Sequence, residues 1–173
     1  MDNFAEQLVK KNETSSDKAR RVVMLIVGVL FTVSLALLSL LQSGRPVVSF
    51  LGLFLAAAAG YGTYYFVQNT YVEYEYTFTN GELDVDKIIA KKKRREMLST
   101  SIRQFTDFGK YDNGMDETDD MTVILATDNI ASHEYYADFT DKTVGKARLI
   151  FVPDDRMLEN IRKFLPARLR AKQ

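Results

Sequence analysis

The chain has 173 residues, with 23 basic and 23 acidic side chains, one histidine and no cysteine. A formal net charge of zero removes any bulk electrostatic pull toward nucleic acid. The lack of cysteine excludes disulfides, thiolate metal sites, a cysteine nucleophile and cysteine-linked lipid.

Residues 1–21 form a polar leader. Asp2 is placed to cap a short helix in which Phe4, Leu8 and Val9 make a narrow apolar stripe. A frayed terminus is the alternative reading. Residues 22–67 then dominate the chain. The run VVMLIVGVLFTVSLALLSLL (22–41) and the run VVSFLGLFLAAAAGYGTYYFV (47–67) flank the break QSGRP, and neither contains Asp, Glu, Lys, Arg or His. A helix crosses a bilayer with about 20 apolar residues. Backbone amides left unpaired in lipid cost several kcal/mol each, so both runs are expected to be helical. The expectation is a two-span membrane hairpin, integral to the lipid bilayer. A cleaved signal peptide does not fit, because the first run is too long and a second span follows at once.

Small residues recur four apart on both runs, at Gly28, Thr32 and Ala36 and at Gly52, Ala56 and Gly60. Such faces let helix backbones approach closely in lipid. An antiparallel hairpin turning at Gly44 would set Gly28 against Gly60, Thr32 against Ala56 and Ala36 against Gly52. Lys10, Lys11, Lys18, Arg20 and Arg21 precede the first run, while the turn has only Arg45. This bias places both termini on the cytoplasmic side of the cell membrane. Tyr61, Tyr64, Tyr65, Phe66 and Tyr71 supply an aromatic belt there. With no ionisable residue inside the runs, the pair reads as an anchor or a subunit and not as a pore or proton relay.

Beyond the helices the period changes to two. Val72, Tyr74, Tyr76 and Phe78 alternate with Glu73, Glu75, Thr77 and Thr79, as in a half-buried strand over 71–79. Asn80-Gly81 is a strong hairpin signal, since both residues tolerate positive φ. A return strand over 82–90 leads to the turn Lys91–Arg95 (KKKRR). Further strands are expected over 97–102, 105–111, 122–127, 134–140 and 147–152. Gly109, Asn113-Gly114, Asn129 and Gly145 punctuate them. Pro153-Asp154-Asp155 opens a helix whose apolar face is Met157, Leu158, Ile161, Phe164 and Leu165, and Pro166 ends or kinks it. Arg156, Arg162, Lys163, Arg168 and Arg170 make the rest of it basic. The fold class is therefore a membrane α-helical hairpin plus an α+β domain over 71–173. That domain reads as a seven-stranded antiparallel barrel or sandwich with a C-terminal amphipathic helix.

The segments YVEYEYTFTNGELDVDKIIAKKKRRE, MLSTSIRQFTDFGKY and ARLIFVPDDRMLENIRKFL carry a resemblance. Residues 71–169 resemble a bacterial pleckstrin-homology-like (PH-like) domain, here carried on a two-helix membrane hairpin. The full layout also resembles a family of small membrane proteins from Gram-positive, Clostridia-type bacteria. The resemblance implies a binding domain with no catalytic residue to transfer. In eukaryotic PH domains, basic residues around the first hairpin loop hold phosphoinositides. The Asn80-Gly81 loop has none, so that property does not carry over.

Lys91, Lys92, Lys93, Arg94 and Arg95 are the candidate lipid-headgroup contact. Strand 71–79 and its returning partner nearly cancel in length, which brings the cluster back toward headgroup level. The alternative is a solvated turn that blocks edge aggregation. The acidic loop of Asp112, Asp116, Glu117, Asp119 and Asp120 lacks EF-hand spacing and reads as solvated, or as a partner for KKKRR. His133 beside Ser132 is not a triad, because adjacency does not aim an imidazole at a hydroxyl. Tyr71, Tyr74, Tyr76 and Phe78 read as core. No catalytic residue, metal or cofactor is expected. The expected function is a non-enzymatic membrane-anchored adaptor whose partner is anionic lipid headgroups or another protein, and not nucleic acid. The alternative is a structural subunit of a larger complex assembled through its helices.

Overall fold

The computed structural model describes residues 3–11, 13–42, 44–112, 114–115, 120–127, 133–141 and 145–171. The chain divides into a helical unit, Glu13–Tyr71, and a β unit made of Met1–Asn12 together with Val72–Gln173.

The helical unit contains α1 (Ser15–Leu41) and α2 (Pro46–Gln68). A capping box opens α1. The Thr14 hydroxyl accepts from the Asp17 backbone N–H, and the Asp17 carboxylate accepts from that of Thr14. Pro46 stands at the start of α2, where its missing N–H is no loss. Both helices are long and apolar enough to cross a membrane, and only 6% of each apolar window is buried. That exposure does not fit the core helix of a water-soluble domain.

Small residues do line the contact between α1 and α2, in a register about one helical turn from the expected one. Gly28 lies against Thr63, where a Cβ would collide with the threonine side chain. A Cβ at Gly60 would lie 3.5 Å from the Thr32 side chain, and one at Gly52 would come within 2.8 Å of Ser39. Gly28–Gly60, Thr32–Ala56 and Ala36–Gly52 are thus not the facing pairs, although Ala56 is buried. Gly44 lies in the connection between Leu41 and Pro46, which hydroxyls hold. The Ser39 hydroxyl donates to the Ser49 carbonyl, and Ser49 Oγ donates to the Gln42 carbonyl at 2.8 Å. At the other end of the pair, Arg21 is buried. It pairs with Glu13, donates to Thr70 Oγ1 at 2.9 Å and lies 4.0 Å over the Tyr71 ring.

Among the described residues the β unit has eight strands in two sheets. β1 (Phe4–Lys10), β2 (Val72–Thr79), β3 (Glu82–Ile89) and β4 (Lys93–Ser101) form the first sheet in the order β1-β2-β3-β4. β5 (Phe105–Lys110), β6 (Thr122–Leu125), β7 (Tyr135–Asp141) and β8 (Gly145–Phe151) form the second in the order β5-β7-β8-β6. Three expectations are corrected. The leader supplies a strand where a short helix was expected, and this raises the strand number from seven to eight; the Asp2 cap lies outside the described residues. The sheets are separate and do not close into a barrel. β6 runs parallel to β8, so the second sheet is mixed.

The leader is a strand for a physical reason. Phe4, Leu8 and Val9 fit a helical stripe, but so short a helix is unstable alone in water. As a strand the segment pairs antiparallel with β2 over its whole length, from Phe4 opposite Thr79 to Lys10 opposite Glu73. Ala5, Gln7 and Val9 then share the inner face with Phe78, Tyr76 and Tyr74. The Gln7 amide pins the strand by donating to the Val152 carbonyl at 2.9 Å and accepting from the Asp154 N–H at 2.8 Å.

Tyr76, Phe78, Leu83 and Val85 of the first sheet pack with Phe105, Phe139, Leu149 and Phe151 of the second. Tyr76 links them further: its hydroxyl donates to the Ala126 carbonyl at 2.6 Å and accepts from the Val152 N–H at 3.3 Å. Burial pushes that hydroxyl's pKa up. α3 (Asp155–Phe164), capped by Asp154, contributes Met157 and Ile161 to the same core, and Leu165 just after it adds a third side chain. Pro166 ends it, and the short α4 (Ala167–Arg170) follows.

Candidate functional site

The basic cluster does not lie wholly in a turn. The turn is Ile89–Lys92, closed by the Lys92 N–H donating to the Ile89 carbonyl at 3.2 Å. Ala90 and Lys91 occupy its centre with φ of 54° and 56°. For residues with a Cβ this left-handed region costs about 1–2 kcal/mol each. Lys93, Arg94 and Arg95 already belong to β4, opposite Ile89, Ile88 and Lys87.

Strand alternation divides the cations. Arg94 points to the outer face of the first sheet, where it pairs with Glu75 and reaches Asp86 at 3.6 Å. Lys93 and Arg95 fall on the other face beside Lys87, whose ammonium lies 5.7 Å from the Tyr74 ring centre. Lys91, Lys92, Lys93 and Arg95 are all exposed. Arg94 is exposed as well, its side chain at 61%, and differs from the other four in committing its guanidinium to Glu75.

That commitment has a local cause. Glu75 stands opposite both Leu8 and Asp86, and Asp86 stands opposite Glu96, so acids neighbour one another across three strands. Glu6, Glu73 and Asp84 share this outer face. Glu75 is only 7% exposed. Burial raises its pKa and the Arg94 charge opposes the rise, while Glu6 and Asp86 add to it. Among the described residues, no group of acids or histidines is disposed to hold a metal ion.

Of the other sequence candidates, Asp116, Glu117, Asp119 and Ser132 lie outside the described residues, as do Asn113 and Asn129. His133 is exposed. The sequence reading missed a polar network on the second sheet. Arg148 holds Asp138 with two bonds of 2.7 and 2.8 Å, and Tyr136 donates to Asp107 Oδ2 at 2.9 Å. Burial, helped by Asp107, pushes the Tyr136 hydroxyl up to about 12. Only the pairing of Asp138 with Arg148 across β7 and β8 would have pointed to it, and that pairing needs the register.

A family model described as Bacterial PH-like domain (DUF6106) matches residues 1–171. The chain belongs to this family. The match starts at residue 1, so the family unit includes the N-terminal strand and both helices along with the sheets that follow. It is a match to a bacterial family and carries no narrower placement, Clostridia-type or other. The chain matches no curated protein and no solved structure. In the PH-like domain the Asn80-Gly81 turn is the second connection of the first sheet. The first connection, from β1 to β2, is the pair of apolar helices.

Proposed function

We propose that this protein is a membrane-anchored, non-enzymatic binding protein. It holds its PH-like domain at the inner surface of the cell membrane with the β3–β4 tip on anionic lipid headgroups. The observation that carries this reading is the register of the first sheet. β1 leaves the sheet at Lys10, opposite Glu73, and β2 enters it at Val72, opposite Ile89. Both covalent connections to the helices therefore depart from the end that bears Lys91, Lys92, Lys93 and Arg95.

Those connections are short: Lys10 precedes Ser15, and Gln68 precedes Val72. A chain reaches at most about 3.3–3.6 Å per residue, so both connections are short tethers that leave from this end of the sheet. Pairing of β1 with β2 also needs both ends of the helical pair on one side of the bilayer. Lys10, Lys11, Lys18, Arg20 and Arg21, which precede the apolar run that starts at Val22, set against Arg45 alone in the turn, favour the cytoplasm for that side. Each cation near an anionic leaflet contributes about 1 kcal/mol, which favours contact for a domain already tethered there. The small residues Gly28, Gly52 and Gly60 are occupied within the hairpin, and this withdraws the main support for assembly through the helices.

The tip is rich in trypsin sites, which supplies the test. The full chain is placed in phosphatidylcholine nanodiscs with and without phosphatidylglycerol, and cleavage at 91–95 is followed by mass spectrometry relative to cleavage at Lys110. Anionic discs are expected to slow tip cleavage several-fold, and high salt to remove the protection. Equal relative rates in both discs would reject lipid contact and redirect the search to a protein partner.

A further inference from the structure

Three cations from separate parts of the chain line one cavity at the opposite end of the first sheet. Arg103 stands in the 3-10 turn Ile102–Gln104, Lys163 in the last turn of α3 and Arg170 in α4. With Phe164, Leu165 and Pro166 they surround an open cavity of about 500 Å³, and no acidic residue is among its lining.

The elements that carry these cations are held firmly. The Ile102 N–H donates to the Gly81 carbonyl at 2.8 Å, and the Arg168 guanidinium donates to the Phe105 carbonyl at 3.3 Å. Ile102, Leu165 and Leu169 are buried beneath the three elements at 0%, 1% and 2% exposure. Phe164 leans edge-on against Phe78 at 5.5 Å and forms an apolar wall. Lys163 also pairs with Glu159 at 2.9 Å, but both are exposed, so a ligand readily releases it. Cations at a helix C-terminus complement its dipole, which accounts for Lys163. It does not account for Arg103, which comes from a different element, or for the meeting of all three.

We propose that this cavity binds a soluble polyanion of the phosphate class. Arg103, Lys163 and Arg170 surround the phosphate oxygens, and Phe164 and Pro166 contact the apolar part of the molecule that carries them. Planar guanidinium groups suit such oxygens, because each offers paired donors. The site is separated from the β3–β4 tip by the length of β3, roughly 23 Å at the usual strand rise, so a headgroup held at the tip does not reach it.

The test uses the full chain in phosphatidylcholine nanodiscs, titrated with inorganic pyrophosphate in a calorimeter. Saturable binding at one site is expected. Arg103→Gln and Arg170→Gln should each weaken it on the order of tenfold while leaving the melting temperature unchanged, since both side chains are exposed. The combined variant Lys91→Gln, Lys92→Gln, Lys93→Gln and Arg95→Gln should bind pyrophosphate as the wild type does. This separates the outcome from that of the tip. Absence of saturable binding, or binding lost in the tip variant and kept in the cavity variants, would overturn the proposal. Displacement of pyrophosphate by separately added phosphatidylglycerol vesicles would overturn the soluble source in favour of a lipid headgroup.

Discussion

The two ends of the first sheet use the same device, a tight turn between antiparallel strands, and use it in opposite ways. At one end Asn80 and Gly81 take φ of 50° and 101°, a conformation both residues adopt readily. Gly81 sits beneath the Phe164 ring and accepts from the Ile102 N–H, so the turn is part of the packed structure. At the other end Ala90 and Lys91 hold φ of 54° and 56° at a cost, with Lys92 and Lys93 next in the chain. The difference teaches where this domain places stability and where it places charge. The strained turn is at the end from which the connections to the helices depart, and the packed turn is at the other.

The contrast is open to direct attack. The largest effect is expected at the packed end. Gly81→Val puts a branched side chain at positive φ, with a Cβ 2.7 Å from Phe164 Cδ1, and should lower stability by about 2–3 kcal/mol in thermal or denaturant unfolding. A neutral result would mean that the turn is not fixed by packing. At the strained end the sign should reverse. Ala90→Asn with Lys91→Gly supplies the residues that the turn geometry favours and should raise stability by about 1–2 kcal/mol. The same pair removes one tip cation, so it should also weaken tryptic protection in anionic nanodiscs. Stability and lipid contact moving in the same direction would contradict the division.

The smallest effect concerns the acids between the two ends. Glu75 has a pKa raised mainly by burial, so its neutral form is the one the fold prefers. The stability linked to it is fully present below the unfolded pKa and is lost as pH rises through the folded one. Glu75→Gln should therefore match the wild type at low pH and become the more stable of the two toward neutrality. A variant less stable than wild type at neutral pH would show that the Arg94 pair outweighs the burial of the carboxylate.

The parts legible in the sequence share one property: the physics that sets them acts over a few neighbouring residues. Uninterrupted apolar runs must be helical if they are to satisfy their own amides in lipid. The Asn80-Gly81 turn, the period of two through Phe78 and the opening of α3 at Pro153-Asp154-Asp155 were readable for the same reason. The PH-like resemblance followed from that ordered succession of elements.

What the tertiary structure decided was each choice between partners far apart in the chain. Phe4–Lys10 carries a weak helical stripe and no clear alternation, and the edge of β2, with the apolar helices between them in the chain, selects the strand. The helix register depended on Ser39, Ser49 and Pro46, whose effect on the turn is not visible in the spacing of small residues. Arg94 pairs within the first sheet because Glu75 and Asp86 lie beside it across the strands. Arg103, Lys163 and Arg170 look like scattered surface charges until the packing of α3 and α4 brings them to one cavity. Sequence by itself determined the local elements, since dihedral preference and hydrophobic period are local. The fold decided which of them meet, because pairing energy depends on partners that sequence distance conceals.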